Sequence, residues 1–115
     1  MLSLQGAMRR TRLRVVIFQE GDWLCAQCLD YNIATQAKSL HGLRYDLERR
    51  MVGHIAISLK HGVKPFRHLQ PAPEKYWDMF RRSKIALPPQ TFGLRVAKRG
   101  VKLSPPEIRV APLAA

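Results

Sequence analysis

The sequence predicts an α+β fold: a small antiparallel sheet ordered β-β-β-α, then a short helix and a fourth strand, with one long helix packed across the sheet. Three observations predict it. Residues 12–19 (RLRVVIFQ) are rich in β-branched side chains and read as a strand. Residues 39–59 (SLHGLRYDLERRMVGHIAISL) are the only long run with sustained helical periodicity. Between them, residues 23–29 and 33–37 return as two further short strands, so three strands feed one helix.

Each element has a local cause. In the first strand, Arg12, Arg14, Val16 and Phe18 share one face, and Leu13, Val15 and Ile17 share the other. Glu20-Gly21-Asp22 supplies a tight turn, with glycine available for positive φ. Asp30-Tyr31-Asn32 breaks the second run. Ser39 suits the N-cap of the long helix, because its hydroxyl can accept a bond from an orphaned backbone N–H. Leu40, Leu43, Leu47, Met51 and Ile55 form one apolar stripe, and Gly62 sits where a left-handed residue would end the helix. The second half, from Met51 to Leu59, leaves almost no polar face. Burial on two sides is therefore expected there.

Beyond the helix, Pro65, Pro71 and Pro73 stiffen a connector, and Pro73 suits the first turn of a short helix over residues 74–82. Acids Glu74 and Asp78 come early in it and Arg81 and Arg82 come last, as the helix dipole favours. Trp77 and Phe80, a second subunit, or both are expected to cover the apolar end of the long helix. Residues 92–97 alternate and read as the fourth strand. The expected division is a flexible basic leader over 1–11, a single domain over 12–100 and an extended, proline-containing tail over 101–115.

A chain of 115 residues is one domain by length, and 46% hydrophobic with 24% charged residues is ordinary for a globular protein. No apolar run approaches the roughly 18 residues of a membrane span. Two cysteines and no secretory signal pattern point to a reducing cytoplasm. The net charge of +12 is unevenly placed. Residues 1–14 contribute +4 and residues 81–102 contribute +7, each without an acid, whereas residues 15–80 are close to neutral at +1. Basic flanks of this kind attract nucleic acid or an acidic partner.

The strand hairpin, the step Leu29-Asp30-Tyr31-Asn32-Ile33-Ala34-Thr35-Gln36-Ala37-Lys38-Ser39-Leu40 and the long helix that follows resemble the HicB-like domain. The Gly62-x-x-Pro65 exit looks like that family's helix ending, and the resemblance covers about residues 12–66. It implies a β-β-β-α-β core related to a reduced ribonuclease H topology without its catalysis. It also implies an antitoxin-type role, in which the domain covers an RNA-cleaving toxin in a toxin–antitoxin system. The chain departs from the family at Ala37 and Gly42. Its proline-rich C-terminal stretch shows no evident helix-turn-helix, and its positive charge is a poor match for a basic ribonuclease.

The residues that could carry chemistry favour bland readings. Cys25-Ala26-Gln27-Cys28 falls inside a strand, where residues three apart point to opposite faces, and no second cysteine pair completes a zinc site. His54 borders the apolar stripe and lacks the spacing and carboxylate of a metal pair, so a hydrogen-bonded, half-buried side chain is expected. The acids do not cluster as two-metal nuclease chemistry requires. The expectation is a cytoplasmic, non-catalytic binding module without cofactor or metal, acting by protein–protein contact and forming a homodimer. Its partner would be itself or a toxin- or nuclease-like protein, and the candidate surface is Val52, Ala56, Leu59, Tyr76, Trp77 and Phe80. The alternative is direct RNA or DNA contact through Arg9, Arg10, Arg12, Arg14, Arg81, Arg82, Lys98, Arg99 and Lys102.

Overall fold

A computed structural model describes residues 13–64, 66, 69–91 and 106–111. Its strands are β1 (Arg14–Glu20), β2 (Trp23–Cys28), β3 (Ile33–Ala37), β4 (Ile85–Leu87) and β5 (Glu107–Val110). Its helices are α1 (Leu40–Lys60) and α2 (Glu74–Arg82), with a short 3-10 turn at Pro89–Thr91. The strands make one five-stranded sheet in the order β3-β2-β1-β5-β4. The fold is α+β, as the sequence predicts.

The sheet is mixed rather than wholly antiparallel. β5 runs parallel to β1, with Val15 opposite Ile108, and is antiparallel to β4. Residues 107–110 therefore belong to the interior of the sheet, not to an extended tail. Ile108 is the reason: it is buried among Leu13, Val15 and Ile17, and the nearby prolines hide this short strand in the sequence. The expected strand over 92–97 and the basic leader over 1–11 lie outside the described residues.

β1 is apolar on both faces and needs cover on both. Leu13, Val15 and Ile17 join the larger core beneath α1, together with Cys28, Ile33, Leu43, Leu47, Met51 and Ile55. Val16 joins a second core with Leu29, Ala72, Phe80 and Ala111, against which Phe18, Tyr76 and Trp77 pack. Gly21 at φ 61 makes the tight turn into β2, closing the Glu20–Trp23 pair.

α1 begins where the Ser39 hydroxyl accepts from the Gly42 N–H at 3.1 Å. It ends in a Schellman arrangement: Gly62 N–H donates to the Leu59 carbonyl and Val63 N–H to that of Ser58, with Gly62 at φ 68. Leu43, Leu47, Met51 and Ile55 are buried as expected. Leu40 is 44% exposed, because the first helical residue lies at the end of the buried stripe. Within the single chain the second half of α1 is not covered on two sides: Val52, Ala56 and Ile57 face solvent. A 21-residue helix is about 30 Å long, whereas a five-residue strand such as β3 spans about 17 Å, so α1 outruns the strand it packs on.

Trp77 and Phe80 do not supply the missing cover, since α2 packs on the opposite face of the sheet. The connector carries the chain there. Asn32 N–H donates to the Gln70 carbonyl and Ala72 N–H to that of Leu29, pinning residues 70–72 along the β2–β3 turn. Phe66 anchors the start of this crossing, fully buried, with its ring stacked on Tyr31 at 4.8 Å between centroids. Its φ of 64 costs roughly 1–2 kcal/mol for a bulky residue, which burial of the ring offsets.

Candidate protein-interaction surface

The six residues expected to form one partner surface fall on two sides of the molecule. Val52 and Ala56 are exposed on α1, and Leu59 is half-buried against the larger core. Tyr76 and Trp77 are half-buried on the far face, and Phe80 is buried there. Trp77 is held in place: its Nε1–H donates to the Ala72 carbonyl at 3.1 Å, and the Arg14 guanidinium lies 4.8 Å from its ring centre. Phe80 lies beneath the Arg109 guanidinium at 4.4 Å. These aromatics are core and lid for the second face of the sheet.

The surface that remains is the solvent side of α1. Tyr45, Val52 and Ala56 recur at spacings of seven and four, so they share one stripe, with Arg49 between them. The Arg49 guanidinium sits 5.4 Å from the Tyr45 ring centre. Ile57, 54% exposed, and Gly53 broaden the stripe to one side. Sequence reading missed Tyr45, Arg49 and Ile57. The helical wheel carries the signal, but an apolar half-helix reads as core until its cover is known to be absent.

The described basic residues of the nucleic-acid alternative are largely engaged. Arg14 makes an ion pair with Asp30 at 3.0 Å, and Asp30 also accepts from the Arg14 backbone N–H. Arg81 bonds both Glu74 and Asp78, and those carboxylates raise its pKa. Arg82 is exposed at the end of α2. Arg9, Arg10, Arg12, Lys98, Arg99 and Lys102 lie outside the described residues.

The acids have structural occupations too. Asp46 accepts from the Thr35 hydroxyl at 2.7 Å, which ties α1 to β3, and Glu48 pairs with Arg44 at 2.9 Å. Among the described residues no three His, Cys, Asp or Glu side chains group to hold a metal ion. Cys25 and Cys28 are free thiols on opposite faces of β2. Burial pushes the Cys28 pKa up to about 12 and raises that of Cys25, the reverse of what a reactive thiolate requires. His54 is half-buried with its ring 6.4 Å from that of Phe66.

Where α2 does not reach, the far face of β2 and β3 stays open as a shallow groove of about 330 Å³. Phe18, Cys25, Gln27, Ala34, Gln36 and Tyr76 line it, and Thr35, Asp46 and Arg50 border it from the α1 side. Gln27 is buried with its amide donating to Asn32 and to the Cys28 carbonyl, so it is a fixed wall. Among the described residues no helix is long and apolar enough to cross a membrane. Comparison with family models, curated proteins and solved structures returns no match.

Proposed function

We propose that this protein is a non-catalytic, HicB-like interaction module that works by protein–protein contact. The observation that supports it most is the solvent-facing stripe of α1. Val52 at 46% exposed and Ile57 at 54% lie with Tyr45 and Ala56 on a helix whose opposite side is fully packed. A contiguous apolar strip on a rigid helix binds a partner with little ordering cost, and its aromatic and arginine pair suits the centre of an interface. The acids and thiols nearby serve the fold, which leaves the stripe as the chemistry on offer. Nucleic-acid contact is the second reading; of its described residues, Arg14 and Arg81 have carboxylate partners and Arg82 is exposed.

The test is affinity capture from host lysate with the tagged full chain, after nuclease treatment, beside a V52E/A56E variant of unchanged circular dichroism. A protein retained by the wild type and lost from the variant supports the reading. Equal retention by both rules out the stripe. Capture that disappears with nuclease transfers the function to nucleic acid.

A further inference from the structure

We propose that the chain forms a two-fold dimer in which β3 pairs antiparallel with β3 of a second copy, continuing the sheet across the axis. The inference rests on the protein-contact reading above and specifies where self-association occurs, away from the α1 stripe. Three observations carry it.

β3 is an outermost strand whose outer edge is unpaired among the described residues. Edge strands are normally blunted by charge, proline, a bulge or brevity. β4, at the other edge, has only three residues. β3 has five, IATQA, without charge or proline, and it pairs with β2 in unbroken register from Ile33 to Ala37. Such a strand is a template for another.

The charges beside this edge fit a copy of the same chain. Asp46 and Arg50, one helical turn apart on α1, both border the groove next to Thr35 and Gln36. They make no ion pair with each other, and Arg50 has no ion pair among the described residues. A two-fold axis beside the free edge of β3 near Ala34, midway between the level of Asp46, which holds Thr35, and that of Arg50, one helical turn on toward Ile33, reverses the order on the second helix. Arg50 of one copy then meets Asp46 of the other, twice. An unrelated strand would satisfy the backbone edge but would not supply these reversed charges.

Bulk electrostatics oppose the contact only weakly. Of the net +12, residues 1–14 and 81–102 carry +11 and residues 15–80 carry +1; within the latter, residues 33–60, which hold β3 and α1, have five basic and two acidic side chains, net +3. Pairing at this edge meets a smaller like-charge penalty than the +7 of residues 81–102 would impose, and the crossed Asp46–Arg50 pairs offset it.

Light scattering of the full chain at about 100 μM, in a dilution series, tests the arrangement. The wild type is expected at twice its 13.2 kDa mass, and Arg50→Asp and Asp46→Arg each lose the dimer when alone. Mixed together, R50D and D46R restore it, because the acidic pair of one faces the basic pair of the other. Asp46 also holds Thr35, so an A34K/Q36K variant, with lysines on exposed edge positions, gives an independent loss without touching that bond. A folded wild type that stays monomeric at 100 μM overturns the inference, as does a dimer indifferent to R50D and A34K/Q36K. If V52E/A56E abolishes the dimer while A34K/Q36K does not, the stripe is the self-contact and β3 is not. Loss of partner capture with the dimer intact would affect only the stripe.

Discussion

The two faces of the sheet are solved differently. Beneath α1 lies a deep core of aliphatic side chains from five elements, with Leu13, Val15, Leu43, Leu47, Met51 and Phe66 fully buried. Beneath α2 lies a smaller one, in which Val16 and Leu29 are fully buried but Ala72, Phe80 and Ala111 keep slight exposure. The first is sealed chiefly by hydrophobic area, with the Thr35–Asp46 hydrogen bond at its edge. The second depends on polar clamps at its margin: Arg14 over Trp77 and paired with Asp30, and Arg109 over Phe80. A nine-residue helix covers too little area to bury its aromatics unaided, so cations lie over the rings and keep their heads in water.

Removing an aromatic ring from each face breaks the comparison most sharply. Phe66→Ala is expected to cost about 3–5 kcal/mol, since its pocket is closed and the vacated space cannot collapse. Phe80→Ala is expected to cost less, about 2–3 kcal/mol, because the α2 face is open at its margin. Urea denaturation of both variants measures this. Equal losses would mean that the two faces are equally sealed.

A smaller effect follows from Cys28, which faces the α1 core. Its thiol ordinarily ionises near pH 9.0 and is pushed by burial to about 12. Unfolding releases it to ionise, so stability is full below pH 9 and falls as pH rises through the window to 12, by at most about 1.4 kcal/mol per pH unit. Cys28→Ala is expected to flatten that slope. Correspondingly, a thiol reagent at pH 8 should label Cys28 only as fast as the protein unfolds, and rapid labelling would show the α1 core to be open.

The smallest expected change is at Ser58. Its hydroxyl is buried on α1 and has no hydrogen-bond partner among the described residues. Ser58→Ala removes that uncompensated group and is expected to raise stability by about 1 kcal/mol. A loss on thermal melting would indicate that the hydroxyl is bonded after all.

Much of the fold was legible because local rules governed it. The two faces of β1, the turn at Gly21, the bounds of β3, the Ser39 cap and the Gly62 exit all follow from periodicity or from one residue's conformational preference. The opposed faces of Cys25 and Cys28 follow from strand alternation in the same way. β5 was not legible: Glu107-Ile108-Arg109-Val110 is too short to announce itself among prolines, and only the parallel partner β1 makes it a strand. The role of Trp77 and Phe80 was misread for a related reason. An aromatic helix shows that it needs a surface, not which of two apolar faces it will take.

By itself, then, the sequence determined the element types, the long helix with both its ends, and the separation of a near-neutral body from basic flanks. These depend on neighbours a few residues apart and on composition. Only the tertiary structure decided that α2 crosses to the far side, that Val52, Ala56 and Ile57 on the outer side of α1 are exposed, and that the outer edge of β3 is unpaired among the described residues. Those outcomes depend on contacts between distant segments: the Gln70 and Leu29 carbonyls steering the connector, and β5 taking the free side of β1. The candidate surfaces lie where that long-range packing stops.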